Sequence, residues 1–143
     1  MGQHTRGMRT PVTIALLLLL AAALAAPWMA GSPQGLAIYE ALSRACHQQP
    51  ERSWSLAGAP IAFCVRCLGV YAGALAAALV GARFSRLGAA VSVILLGADW
   101  LAEAAGWLGP RPWTRFVIGG GAGFFLVSSL WGEPKPRPAR STP

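Results

Sequence analysis

Apolar positions along this chain do not alternate with polar ones; they come in four long runs parted by short polar or basic stretches. The first run, Val12–Ala30, is almost wholly apolar, and no charged residue stands between Thr10 and Tyr39. At about 1.5 Å per helical residue, such a run crosses a hydrocarbon layer about 30 Å thick. Cys67–Ala82 is again uncharged and leads to Arg83 and Arg86. Leu87–Leu108 is apolar apart from Asp99 and Glu103, and Phe116–Trp131 carries no charge. The pattern predicts an all-α, polytopic membrane protein with four transmembrane helices at about 12–30, 67–83, 87–108 and 116–131, all in one transmembrane domain over 1–132. The first run also reads as a signal peptide cut near Ala23-Leu24-Ala25. Pro27 beside that site and the length of the run favour an uncleaved helix instead.

The stretches between the runs have their own signals. Ser32-Pro33 is a helix start, with serine as N-cap and proline at the first helical position. Leu36, Tyr39, Leu42 and Cys46 then recur at helical spacing, while Glu40 and Arg44 share another face. This predicts a short amphipathic helix over 33–46, lying along the membrane surface. Pro50 and the Gly58-Ala59-Pro60 turn predict an irregular segment over 48–61. Gly69, Gly73, Ala77 and Gly81 form a small-residue stripe, and Gly119 with Gly123 forms another, so either can bring a second helix close, including one from a second copy of the chain. The end, 133–143, is rich in proline and basic residues and reads as a disordered cytoplasmic tail.

Composition agrees with a bilayer environment. Hydrophobic residues make up 55% and charged residues 12%, so the lipid bilayer is the expected partner. The net charge of +7 raises nucleic acid as an alternative partner. The basic residues, however, sit singly or in pairs at the ends of apolar runs, and no basic face with interleaved aromatics exists to follow a phosphate backbone. Their placement reads as topology. With four spans, Arg6, Arg9, Arg83, Arg86, Lys135, Arg137 and Arg140 fall on one side, and Arg44, Arg52, Arg66, Arg111 and Arg115 on the other. Seven against five favours both termini in the cytoplasm of an inner membrane, with the cysteine-bearing loop extracytoplasmic.

All three cysteines belong to that loop and to the mouth of the second helix. Cys64-Val65-Arg66-Cys67 is a C-x-x-C pair, and Cys46-His47 lies upstream. Three sulfurs and one imidazole make a four-ligand set suited to zinc or another transition metal. Two rival readings use the same residues. Arg66 between the thiols lowers a thiol pKa, which suits a thiol–disulfide oxidoreductase. A C-x-x-C at the outer end of a helix also looks like the arrangement in periplasmic, quinone-linked disulfide-generating enzymes, though the loop Gly109–Thr114 lacks their second cysteine pair. A plain disulfide bracing the loop would leave one odd cysteine. A third class of function, a non-enzymatic assembly or transport subunit, would rest on the glycine stripes alone. Asp99 and Glu103 share a helix face, with Asp99 about 15 Å from the outer helix end and so near the bilayer middle. An ionisable group at that depth is a functional candidate, so Asp99, Arg66 and Glu103 are the catalytic candidates. Arg66 or Arg115 could also neutralise Glu103 from the outer side.

The run Cys46-His47-Gln48-Gln49-Pro50-Glu51-Arg52-Ser53, then Cys64-Val65-Arg66-Cys67-Leu68-Gly69-Val70-Tyr71-Ala72-Gly73, resembles a family of small prokaryotic membrane proteins catalogued as domain of unknown function 2085. Asp99-Trp100, and Arg115 before a glycine-rich helix, are similar to that family as well, so the likeness covers roughly residues 35–125. Val65 and Leu68 depart from its pattern without touching a ligand-type side chain. The resemblance implies a multi-spanning membrane protein with no settled activity.

Overall fold

The computed structural model describes residues 2–109 and 111–131, and the expected tail at 133–143 lies outside them. Among the described residues there are five α-helices: α1 (Gly2–Ala25), α2 (Pro33–Ser43), α3 (Val65–Val80), α4 (Arg86–Ala104) and α5 (Pro112–Leu130). Helix α1 runs on through a 3-10 turn, Ala26–Met29, where Pro27 tightens the last turn. The Ser32 hydroxyl accepts from the Gly35 amide at 3.1 Å, capping α2 as its sequence predicts. This helix stops at Ser43, short of Cys46. Leu42 and Gly35 are its buried positions, whereas Leu36 is exposed.

The segment 48–61 is more regular than expected. Ser55–Leu56 (β1) and Ala59–Pro60 (β2) pair antiparallel around Ala57-Gly58, both at positive φ. Two positive-φ residues in a two-residue loop make the turn whose twist suits a hairpin. Ala57 in that role carries no sequence signal, because alanine rarely adopts it. The hairpin leads into Ile61-Ala62-Phe63, which is buried against Leu20, Ala23, Ala26 and Leu42. The Ala62 amide reaches the Ala23 carbonyl of α1, and the Tyr39 hydroxyl of α2 donates to the Pro60 carbonyl.

The centre of the bundle is the α3–α5 pair. Gly69 and Gly73 of α3 lie on the backbone of Phe116 and Gly120, and Gly119 and Gly123 of α5 lie on that of Arg66 and Val70. A Cβ at any of these four glycines would overlap main-chain atoms. The two glycine stripes expected from the sequence thus meet inside one chain. Helix α4 leans on α5, and α1 on α3. Gly81 does not continue the stripe; at φ +67° it ends α3, with its carbonyl accepting from the Arg9 guanidinium.

Two helices, Arg9–Met29 and Arg86–Ala104, are long and apolar enough to cross a bilayer, while Val65–Val80 is apolar but shorter. Helix α5 has the length, but glycine at 119–121 and 123 and serine at 128 and 129 dilute its hydropathy. Length and hydropathy therefore support two of the four expected spans. Leu87, Ile94, Leu95 and Leu101 on α4 are all more than half exposed, as is Leu18 on α1. Such a continuous apolar exterior suits lipid and not water.

Helix α4 also ends earlier than expected, at Ala104, because Gly106 adopts φ +74° and the amides of Gly106 and Trp107 turn back onto the carbonyls of Glu103 and Ala102. Asp99 is then about 8 Å from the end of this helix, rather than about 15 Å. Trp107 and Trp113 are exposed, whereas Trp131 is buried beneath the Arg9 guanidinium, which lies 5.4 Å from the ring centre.

Candidate metal centre

Two separate segments bring the sulfurs together. After α2 ends, the Cys46 amide still bonds the Leu42 carbonyl at 3.1 Å, which carries the side chain inward. The Gln48 amide group reaches back to the Tyr39 carbonyl at 2.8 Å and fixes the turn. Cys64 is the N-cap of α3, with extended backbone (φ −66°, ψ 153°), and Cys67 lies one turn in. An N-cap side chain faces the third helical residue, so a C-x-x-C at a helix start holds both sulfurs on one side. The Sγ atoms of Cys46, Cys64 and Cys67 all lie within 4.8 Å of one another. No disulfide joins them. Cys46 is 3% exposed, and the other two are half-buried.

The Cys46 sulfur is placed as an anion. It accepts from the Cys64 amide at 3.2 Å and the Gln48 amide at 3.5 Å. Hydrogen bonds from the Cys64 and Cys67 thiols, then from these amides, pull its pKa down to about 2 against the cost of burial. Cys64 moves the other way: its bond to Cys46 raises its pKa, with burial and the Cys46 charge adding to the rise. One thiolate supported by two thiols is the resulting state.

Beside the sulfurs lies a cavity of about 440 Å³. Its wall includes His47, Gln49, Arg52, Cys64, Cys67 and Trp100, and a set of ion pairs closes its floor. The Arg66 guanidinium bridges Asp99 at 2.5 Å and Glu103 at 3.0 Å. The second oxygen of Glu103 takes Arg115 at 2.8 Å and Arg52 at 3.0 Å. Five charges from a loop and three helices so converge on one spot, and all but Arg52 are largely buried. Trp54 packs on Trp113 and Phe116, with ring centres 5.0 and 5.5 Å apart, and pins the loop over α5.

A family model described as "Predicted membrane protein (DUF2085)" matches residues 46–129. The chain belongs to this family. The DUF2085 segment starts at Cys46 and ends inside α5, so it holds all three cysteines, every ion pair of the cavity floor and the α3–α5 glycine contacts. An uncharacterized protein from Methanocaldococcus jannaschii is 28% identical over 101 residues, covering 64% of this chain and 65% of that protein's length. No solved structure matches the chain.

The structure gathers the expected residues unevenly. The three cysteines meet, but His47 stays outside their cluster, exposed on the turn after Cys46 and lining the cavity. A residue next to a buried ligand on an irregular turn points away from it, so adjacent Cys and His cannot both face inward there. Asp99, Arg66 and Glu103 sit in one ion-pair network. Arg52 is the member that sequence reasoning left out. It lies fifty-one positions from Glu103, and no local spacing marks the pair.

Proposed function

We propose that the three sulfurs bind one transition-metal ion, zinc being the best fit, at the extracytoplasmic rim of an inner-membrane helical bundle with both termini in the cytoplasm. The observation that carries this reading is the convergence of three thiol groups from two distant segments, one of them already held as a thiolate. Zinc–sulfur bonds of about 2.3 Å hold sulfurs about 3.8 Å apart in a tetrahedron, a small contraction of the observed cluster. Three protein sulfurs leave a fourth position, and Cys64 and Cys67, unlike Cys46, line the cavity that His47 also lines. Metal sites with an open position do chemistry or hand the ion on, whereas closed ones brace the fold.

Charge supports the same reading. Three thiolates around a divalent ion carry one net negative charge, and the three arginines and two carboxylates beside them carry one net positive charge. Adjacent, they compensate each other where water is scarce. A thiol oxidoreductase instead needs an accessible thiol of low pKa. Here the low-pKa sulfur is buried and the accessible Cys64 is raised, which favours metal over redox chemistry.

The orientation rests on the arginine and lysine bias and on the ends that meet. Arg9 near the start of α1 touches Gly81 at the end of α3 and Trp131 at the end of α5, away from the cysteines. Anaerobically purified protein should contain about one metal ion per chain, lost in the Cys64→Ser/Cys67→Ser variant. Elemental analysis that finds no metal, with three titratable thiols, would remove the reading.

A further inference from the structure

The cavity has a use that the sulfurs do not explain. Three guanidinium groups, Arg52, Arg66 and Arg115, line it with one carboxylate, Glu103, while Asp99 pairs with Arg66 from behind the wall, which leaves one net positive charge. A concave wall with an excess of one sign focuses its potential on whatever enters. Donor capacity is also left over. Each guanidinium has five N–H donors, whereas Arg52 and Arg115 each give one nitrogen to Glu103, and the Arg66 Nε is buried with no acceptor among the described residues. Planar forks of this kind match the paired oxygens of phosphate and carboxylate groups. One wall is apolar, formed by Trp100 and Ala104 of α4. The volume of about 440 Å³ falls in the range that holds small molecules.

We propose that this cavity is a binding site for a ligand with an oxyanion head, held by Arg52, Arg66 and Arg115, with its less polar part against Trp100. The head is a phosphate-type group, and it arrives either on a small soluble molecule or on a lipid, because the Trp100 wall belongs to a helix with an apolar exterior. None of these contacts uses a sulfur, but Cys64 and Cys67 line the same cavity, so the test includes the variant that lacks both thiols.

The test uses the full chain in phosphatidylcholine nanodiscs, titrated calorimetrically with inorganic phosphate and, separately, with discs that include phosphatidic acid. Saturable binding of inorganic phosphate assigns a soluble oxyanion; binding seen only with phosphatidic acid assigns a lipid head. In either case Arg52→Gln, on an exposed turn, should weaken binding about tenfold, the loss expected for one charged hydrogen bond. Gln49→Glu, which adds a negative charge to the cavity wall, should weaken it similarly. Binding should persist in the Cys64→Ser/Cys67→Ser variant. No saturable binding of either probe, or equal binding by both cavity variants, overturns the proposal. Loss of binding together with the metal in the cysteine variant overturns it too, by putting the anion on the ion and not on the arginines.

Discussion

At Cys46 two backbone amides and two neighbouring thiols converge on one buried sulfur, so its charge and its accessibility oppose each other. In metal-free protein, iodoacetamide at pH 8 should therefore alkylate the native thiols at least about tenfold more slowly than free cysteine, and denatured thiols at the ordinary rate. Rapid labelling of Cys64 in the native state would contradict this. The same shifts give stability a pH profile. A lowered Cys46 pKa makes the unfolded chain bind the extra proton, so its contribution is full above the ordinary thiol pKa near 8.5 and declines as pH falls toward 2. Cys64 is raised, so its contribution holds below about 8.5 and is lost as pH rises above it. Thermal stability of the metal-free protein should thus peak near pH 8.5, and the acid limb should flatten in Cys46→Ala. Glu103 is the other pivotal residue: Glu103→Gln leaves three arginines without their shared counter-ion and should cost about 3–5 kcal/mol, read from unfolding in detergent. An unchanged midpoint would show that the ion pairs are solvent-screened.

Among the elements, the α3–α5 pair sets everything else. Gly73→Leu or Gly123→Leu would force these backbones apart, and with them Arg66 from Arg115 and Cys67 from its partners. Both variants should lose the native fold or most bound metal, whereas Gly121→Leu, with open space at its Cβ, should keep both. Equal behaviour of all three variants would show that close packing is not what α3 and α5 require. The glycine stripes were legible because small residues at four-residue spacing have few other uses in a lipid-facing helix. Their partner was not legible, since a stripe fits a neighbouring helix and a second chain alike. The end of α4 was readable in principle from Gly106, but the apolar run beyond it, Trp107-Leu108, hid the signal. Gly58 marked a turn, but the Ala57-Gly58 hairpin was not legible, because alanine rarely takes a positive φ and its two-residue strands are too short to show alternation.

For the whole molecule, one experiment tests the orientation. In a cysteine-free background, Ser55→Cys on the exposed hairpin should react with a membrane-impermeant maleimide on intact cells. Protection until lysis would invert the topology. The sequence by itself determined the helical class, the apolar exterior and which residue types cluster near the cysteines, because hydrophobic period, capping and C-x-x-C geometry act over at most a few residues. Only the tertiary structure decided that Cys46 joins the pair while His47 does not, that Arg52 reaches Glu103, and that the two glycine stripes face each other. These are contacts between segments far apart in the chain, fixed by how whole helices pack, and no local pattern encodes them.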